Sequence, residues 1–323
     1  MDNVEVPRPF FLNDEFVFLS PWLKKIYPDF FKRLIDLFKE LHIQYMAIPC
    51  TNDIWCRDFM PFTISKGYYL QYRYYPDYLL QKEKDKYYLT DAAKVCEEMK
   101  LPCITTDIIL DGGNMVKAGK FLIMTEKIFK ENPNWKPSEL IKEIERLTCL
   151  KILLLPWDKV EIYGHSDGIV HPINDHKVLM TNYEDFDKAI AQEIETRLKK
   201  HFEVIKLQYD IPHPDPRNWA YINYLEIGND IILPALGIPE DKQALHQIKK
   251  IYQYSKNVSQ IRMEEIIEQG GALNCITWTI DRQMFLQLQR DYPIIKARLQ
   301  KFEKETPLEE DRGRTKSKKD LCL

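Results

Sequence analysis

Closely paired cysteines are missing from this chain. Its seven cysteines, at 50, 56, 96, 103, 149, 275 and 322, form an odd, scattered set with no Cys-x-x-Cys pair. Zinc sites usually depend on such pairs and small secreted scaffolds on an even disulfide framework, so neither is expected. Scattered reduced thiols fit a cytoplasmic protein. No uninterrupted apolar run approaches the roughly 18 residues that a membrane helix needs. Asp2, Glu5, Arg8, Asp14, Glu15, Lys24 and Lys25 interrupt the first 30 residues, so no signal peptide is expected either. There is no G-x-G-x-x-G and no Walker sequence to cradle a nucleotide phosphate. A basic excess is also lacking. The 46 Lys and Arg against 49 Asp and Glu leave a net charge of −3, which gives nucleic acid or an anionic membrane little to hold. What remains is 323 residues, 45% of them hydrophobic, enough for one large or two medium domains with a sizeable core.

Five short polar motifs recur along that length. They are Trp55-Cys56-Arg57-Asp58, Asp111-Gly112-Gly113-Asn114, Gly164-His165-Ser166-Asp167, Tyr221-Ile222-Asn223 and Gly270-Gly271-Ala272-Leu273-Asn274-Cys275. From Asp58 through Asp111, His165 and Tyr221 to Cys275 the steps are 53, 54, 56 and 54 residues. A repeat near 50 residues suggests a closed, propeller-like array whose equivalent loops converge on one centre. An ordinary doubly wound α/β sheet would not explain the even spacing.

The segments between the motifs fit the same plan. The apolar spacing predicts helices over 29–41, 90–99 (with Thr90 as N-cap), 138–147, 185–202 and 240–252. A strand follows each helix, at 43–48, 104–110, 151–155, 204–208 and 258–263, and leads into the next motif. After each of the first four motifs comes a hairpin, with tips near Ser65-Lys66-Gly67, Gly119, Asn174-Asp175 and Gly228-Asn229. The unit is then helix, strand, polar motif, hairpin, repeated five times, with a further helix over 281–302 outside the ring. The domain assignment is one catalytic domain over 1–302 and a polar, disordered tail over 303–323.

A lone cysteine is more often packing than a nucleophile. Cys275 gains weight from its company, because Gly270-Gly271 allows close backbone approach and an imidazole and carboxylates occupy equivalent places in other units. A free thiol of ordinary pKa is only ~3% thiolate at neutral pH. A neighbouring imidazolium or bound cation would supply the nucleophile. Asp167, two residues beyond His165 in a strand-like stretch, shares its face by period-two alternation. Asp58 and Asp111 could each be turn formers. Together with Asp167 they make a site too negative to bury without a cation or added protons. Magnesium would suit the oxygens but leave the thiol without a role. A planar guanidinium suits both, held by forked carboxylate hydrogen bonds and attacked at carbon by sulfur. Tyr221-Ile222-Asn223 marks the unit that brings no reacting side chain.

These motifs resemble those of the agmatine deiminase and bacterial-type peptidylarginine deiminase family of the guanidino-group-modifying superfamily. The match rests on Asn52 to Asp58, Asp111 to Asn114, Gly164 to Gly168, Gly270 to Thr277, Tyr221 to Tyr224 and Ile231 to Pro234, spanning about residues 40 to 280. The resemblance implies an α/β fold, a five-bladed α/β propeller or pentein with pseudo-fivefold symmetry. It implies hydrolysis of a guanidine to a urea and ammonia without metal or other cofactor. Cys275 would be the nucleophile, His165 the general acid and base, and Asp111 the support of the histidine. Asp58 and Asp167 would hold the guanidinium. Trp55 and Asp53 join the substrate-binding set, and Arg217 is the candidate for a substrate carboxylate, against Asp215 or Asp53 for an amine. Four positions in three motifs depart from the agmatine deiminase pattern: Asn274 replaces a histidine, Asp111 a glutamate, and Ser166 and Gly168 a valine and an asparagine.

The expected partner is a small cationic guanidine, most readily agmatine, giving N-carbamoylputrescine on a route to polyamines. Neither nucleic acid nor membrane is an expected partner, and a homodimer is compatible with the sequence. Arginine or peptidylarginine deimination, amidino transfer to another amine, and a non-catalytic binding role on the same fold are the alternatives.

Overall fold

The computed structural model describes residues 14–65, 68–291 and 293. In chain order the strands are β1 (Glu15–Leu19), β2 (Gln44–Ala47), β3 (Phe62–Ser65), β4 (Tyr68–Arg73), β5 (Cys103–Ile109), β6 (Val116–Ala118), β7 (Phe121–Thr125) and β8 (Lys151–Leu155). They continue with β9 (Val170–Asn174), β10 (Lys177–Met180), β11 (Glu203–Lys206), β12 (Leu225–Ile227), β13 (Asp230–Ala235), β14 (Asn257–Arg262) and β15 (Trp278–Asp281). Among the described residues they make five three-stranded sheets of one design: β3-β4-β5, β6-β7-β8, β9-β10-β11, β12-β13-β14 and β15-β1-β2. In each, the first two strands pair antiparallel and the third runs parallel to the second. A parallel third strand needs a crossover, and a helix supplies it.

The structural unit is therefore out of phase with the one read from sequence. Each sheet begins just after one polar motif and ends just before the next, so every motif joins two sheets. The fifth sheet is divided between the chain's two ends, with β15 following Cys275 and β1 standing in for the second hairpin strand. Arg282 N donates to Asp14 O at 2.6 Å where the two segments meet. The sequence reading assigned neither β1 nor β15.

The crossover helices form where apolar residues recur every three or four positions. The helix Pro28–Glu40 buries Phe30, Leu34, Ile35 and Phe38, and Pro28 fits its first turn, where no N–H partner is needed. Pro137–Thr148 buries Leu140, Ile144 and Leu147 in the same way. Thr90 is not the N-cap expected of it. Asp91 caps Ala92–Glu98 by accepting from Lys94 N, while the Thr90 hydroxyl accepts from Asn52 N. The predicted helix over 185–202 resolves into a 3-10 turn and Lys188–Leu198, because Asp187 takes the cap position between them. His42, Lys100, Cys149 and Gln253 have φ between 51° and 57°, so a left-handed residue stops four of the five helices. The last predicted helix is present over residues 282–291; its remainder, like the tail over 303–323, lies outside the described residues. No helix among the described residues is long and apolar enough to cross a membrane.

One cavity of about 620 Å³ touches every sheet. Thr63 of β3, Val116 of β6, His171 of β9, Glu226 of β12 and Thr279 of β15 all line it. Each belongs to the edge strand that follows a polar motif, so all five sheets present the same edge to a common space.

Candidate active site

The polar motifs sit in the turns that lead into those edge strands. Asp58 lies in the helical turn Cys56–Phe59, while Asp111 and His165 immediately precede the 3-10 turns Gly112–Asn114 and Ser166–Gly168. His165 and Asp167 thus do not share a strand face. The turn brings them to one place instead, with Ser166 buried between them and its hydroxyl donating to Ile123 O at 3.1 Å.

His165 is held by carboxylates on two sides. Its Nε2 lies 3.1 Å from Asp111 Oδ2 and its Nδ1 3.8 Å from Asp58 Oδ1. Burial alone would pull the imidazolium pKa down, but the charges of Asp111 and Asp58 raise it to about 10. Asp111 also accepts from the Tyr78 hydroxyl at 3.0 Å, and Asp58 Oδ1 from Gly113 N at 3.2 Å. Gly113 has no room for a side chain, since a Cβ there would lie 2.4 Å from His165 Nδ1. Burial pushes Asp58 well above the usual carboxylate range, with the charges of Asp111 and Asp167 adding to it and His165 opposing.

Cys275 faces this group from the fifth motif. Its thiol donates to Asn223 Oδ1 at 3.3 Å and lies 3.8 Å from Asp167 Oδ2. Burial, then the carboxylates of Asp167 and Asp58, hold its pKa well above that of a free thiol. The thiolate expected from a neighbouring imidazolium is therefore not the resting form. Asn274 turns its amide onto Asp167, Nδ2 to Oδ2 at 2.7 Å, and Arg57 braces the loop through Nε to Asn274 O and N to Cys275 O. Gly271 presses against the Trp55 ring, where a Cβ would come within 2.2 Å of Cζ3.

Asn223 was not foreseen. Its motif is expected to bring no reacting side chain, yet its Oδ1 accepts from both the N–H and the thiol of Cys275, and its Nδ2 donates to Asp167 O at 3.4 Å. The only signal for it was its place in the repeat. Asp53 is half-buried, its pKa raised by desolvation to about 7, with Oδ1 accepting from Ile54 N. Arg217 stands apart, bonded to Asp215 through Nε and Nη2 at 3.0 and 2.8 Å and 3.7 Å from Glu268. The rival candidates for the far end of the substrate, Arg217 for a carboxylate and Asp215 for an amine, thus bind each other.

A cavity of about 580 Å³ opens onto His165, Asp167 and Cys275. Trp157, Tyr163, Tyr183, Phe186 and Trp219 contribute aromatic walls, and Asp158, Glu161 and Asp187 contribute carboxylates. No Lys or Arg is among its described lining residues. Such walls suit an elongated cation. Asp58, Asp111 and His165 each offer one atom within 4.8 Å of the others, so this trio could also surround a small metal cation, with the thiol outside it.

A family model of the Porphyromonas-type peptidyl-arginine deiminases matches residues 28–280. The chain belongs to this family. Its similarity to a putative agmatine deiminase of Streptococcus mutans is 26% identity over 224 residues, 58% of this chain and 60% of that protein. It thus spans about three-fifths of the length of such curated relatives. An agmatine deiminase of Enterococcus faecalis superposes with a TM-score of 0.63 at 20% identity, covering 84% of this chain and 94% of that one. A substrate-bound agmatine deiminase of C. jejuni gives 0.64 at 16% identity, covering 85% and 95%. At these identities the likeness establishes the fold alone, the one that those agmatine deiminase structures share.

Proposed function

We propose that this protein is a deiminase that hydrolyses a guanidino group to a ureido group and ammonia, with agmatine as its substrate. The observation that carries the reading is the meeting of a thiol, an imidazolium and buried carboxylates at the end of a cavity walled by aromatic rings and acids. The five sheets would be the blades of one propeller, which accounts for their common cavity and for the meeting of five distant motifs.

In this mechanism the substrate's cation supplies what the resting site lacks. Asp167 and Asp58 take its N–H groups in forked hydrogen bonds. Its positive charge opposes the effect of those carboxylates on Cys275 and favours the thiolate, the thiol proton passing to solvent water as the cation binds. Sulfur adds to the guanidinium carbon, and His165, already protonated, gives its proton to the departing nitrogen. Ammonia leaves and a thiouronium remains on Cys275. Neutral His165 then takes a proton from water as it adds to that carbon; collapse breaks the C–S bond and frees the urea. No step calls for a metal. Asn223 orients the thiol, and Asp111 keeps His165 charged.

The far end of the substrate supports agmatine over arginine. A carboxylate there would meet Asp158, Glu161 and Asp187 without a lining cation, whereas an ammonium would be held by them and by the rings. The family model's peptidyl-arginine description supports a second reading, with the same chemistry on a peptide side chain. Incubation with agmatine, arginine and an arginine peptide, following ammonia and ureido product, tests both. Agmatine is expected to exceed the others at least tenfold in kcat/KM, and Cys275→Ala to abolish turnover. Activity that survives Cys275→Ala sinks the nucleophile assignment; activity lost to a chelator sinks the metal-free route.

A further inference from the structure

Deimination through a thiouronium sets two small molecules moving while the rest of the substrate stays tethered. Ammonia must leave after the first C–N bond breaks, and water must arrive before the C–S bond breaks. Throughout that interval the alkyl chain and its ammonium still occupy the cavity of about 580 Å³ through which the substrate entered. A second way in is needed.

The common cavity of the five edge strands lies against the same centre. Asp167 lines both cavities, and Arg57 and Asn274 line the second. Asp167 thus borders both, its carboxylate 3.8 Å from the sulfur and bonded by the Asn274 amide at 2.7 Å. On the far side the walls offer hydrogen-bonding groups: Thr63, Thr279, His171 and Glu226 among them. Glu15, Asp167 and Glu226 line it together with Lys117 and Arg57, so both signs of charge are present, as suits neutral water and ammonia.

We infer that this second cavity is the passage by which ammonia departs and hydrolytic water enters, past the Asp167–Asn274 pair. The inference rests on the deiminase reading. Mass balance requires one guanidinium and one water in for one urea and one ammonium out. Only the ammonia and the water use this route, in opposite directions and one after the other.

Thr63 and Thr279 are half-buried, line the passage from different sheets and take no part in the catalytic group. The experiment fills the passage by Thr63→Trp and Thr279→Trp, with Ser and Leu at each position as a graded series should a tryptophan variant fail to fold. Full-length proteins are assayed with agmatine and quenched in acid for intact mass. The expected result is a fall in kcat of tenfold or more that grows with side-chain size. KM should fall alongside, and a covalent adduct equal to agmatine less ammonia should accumulate, because only steps after thiouronium formation are slowed. Folded variants with the parent's kcat overturn the passage. So does a lowered kcat without any adduct, which would mean that the substitution had damaged the site. A parent that makes no ureido product from any guanidine defeats the deiminase reading itself, and the passage with it.

Discussion

Cys275 rests as a thiol beside a charged His165, whereas attack needs a thiolate beside that same imidazolium. The thiol is held protonated by burial and by Asp167 and Asp58, while the imidazole is held charged to about 10 by Asp111 and Asp58 against burial. A group whose pKa is raised keeps its proton to higher pH. The acid limb of kcat/KM, set in the free enzyme by Asp58 and Cys275, should therefore stand well above the ordinary carboxylate range. The alkaline limb should fall as His165 loses its proton near pH 10. Asp111→Asn removes the largest charge that supports the imidazolium, so the alkaline limb should move down by about a unit or more. A pH profile of the parent and this variant decides it; an unmoved alkaline limb would assign that ionisation to another group. The titrating residues were visible in the sequence as types, but their resting states were not, since those depend on neighbours 54 to 217 positions away.

The short turns between sheets position the site, and glycine shows how tightly. Gly113 lets its own N–H reach Asp58 while leaving space for the His165 ring, and a single methyl there would enter both. Gly113→Ala should lower kcat at least a hundredfold by displacing ring or carboxylate, with the far-UV spectrum unchanged, and steady-state kinetics beside circular dichroism would show it. Full activity would mean that the turn can yield. Much at this scale was legible in advance. Apolar periodicity located the crossover helices, and strand 151–155 has the bounds expected of it. Other features carried no local signal. Four helices end on His42, Lys100, Cys149 and Gln253, none of which announces a left-handed turn as glycine would. The alternation of His165 and Asp167 looked like a strand because two residues cannot distinguish a strand from a tight turn. Asn223 escaped notice because an amide seemed too bland beside a thiol and an imidazole.

At the scale of the molecule, the first and last strands form one sheet. β1 lies between β15 and β2 and buries Val17, Phe18 and Leu19 almost completely. At about 1.5–3 kcal/mol for each such side chain, these three contribute an amount comparable with the roughly 5–15 kcal/mol that holds a typical domain together. Removal of residues 1–19 should therefore abolish cooperative melting. A truncated chain that still melts sharply within a few degrees of the parent would show that the fifth sheet is dispensable. Neither strand could be assigned from a local pattern, because each acquires its meaning from a partner more than 250 residues away.

That pairing also fixes an order of events during synthesis. β1 is made well before β15 and must wait for it, which over the residues between them at about 5–20 residues per second is a delay of roughly 13–53 s. The loop carrying Cys275 emerges just before the strand that ends the wait. A ribosome that stalls anywhere earlier yields a chain with neither Cys275 nor its closing strand, and Phe16 to Leu19 are left without their β15 partner.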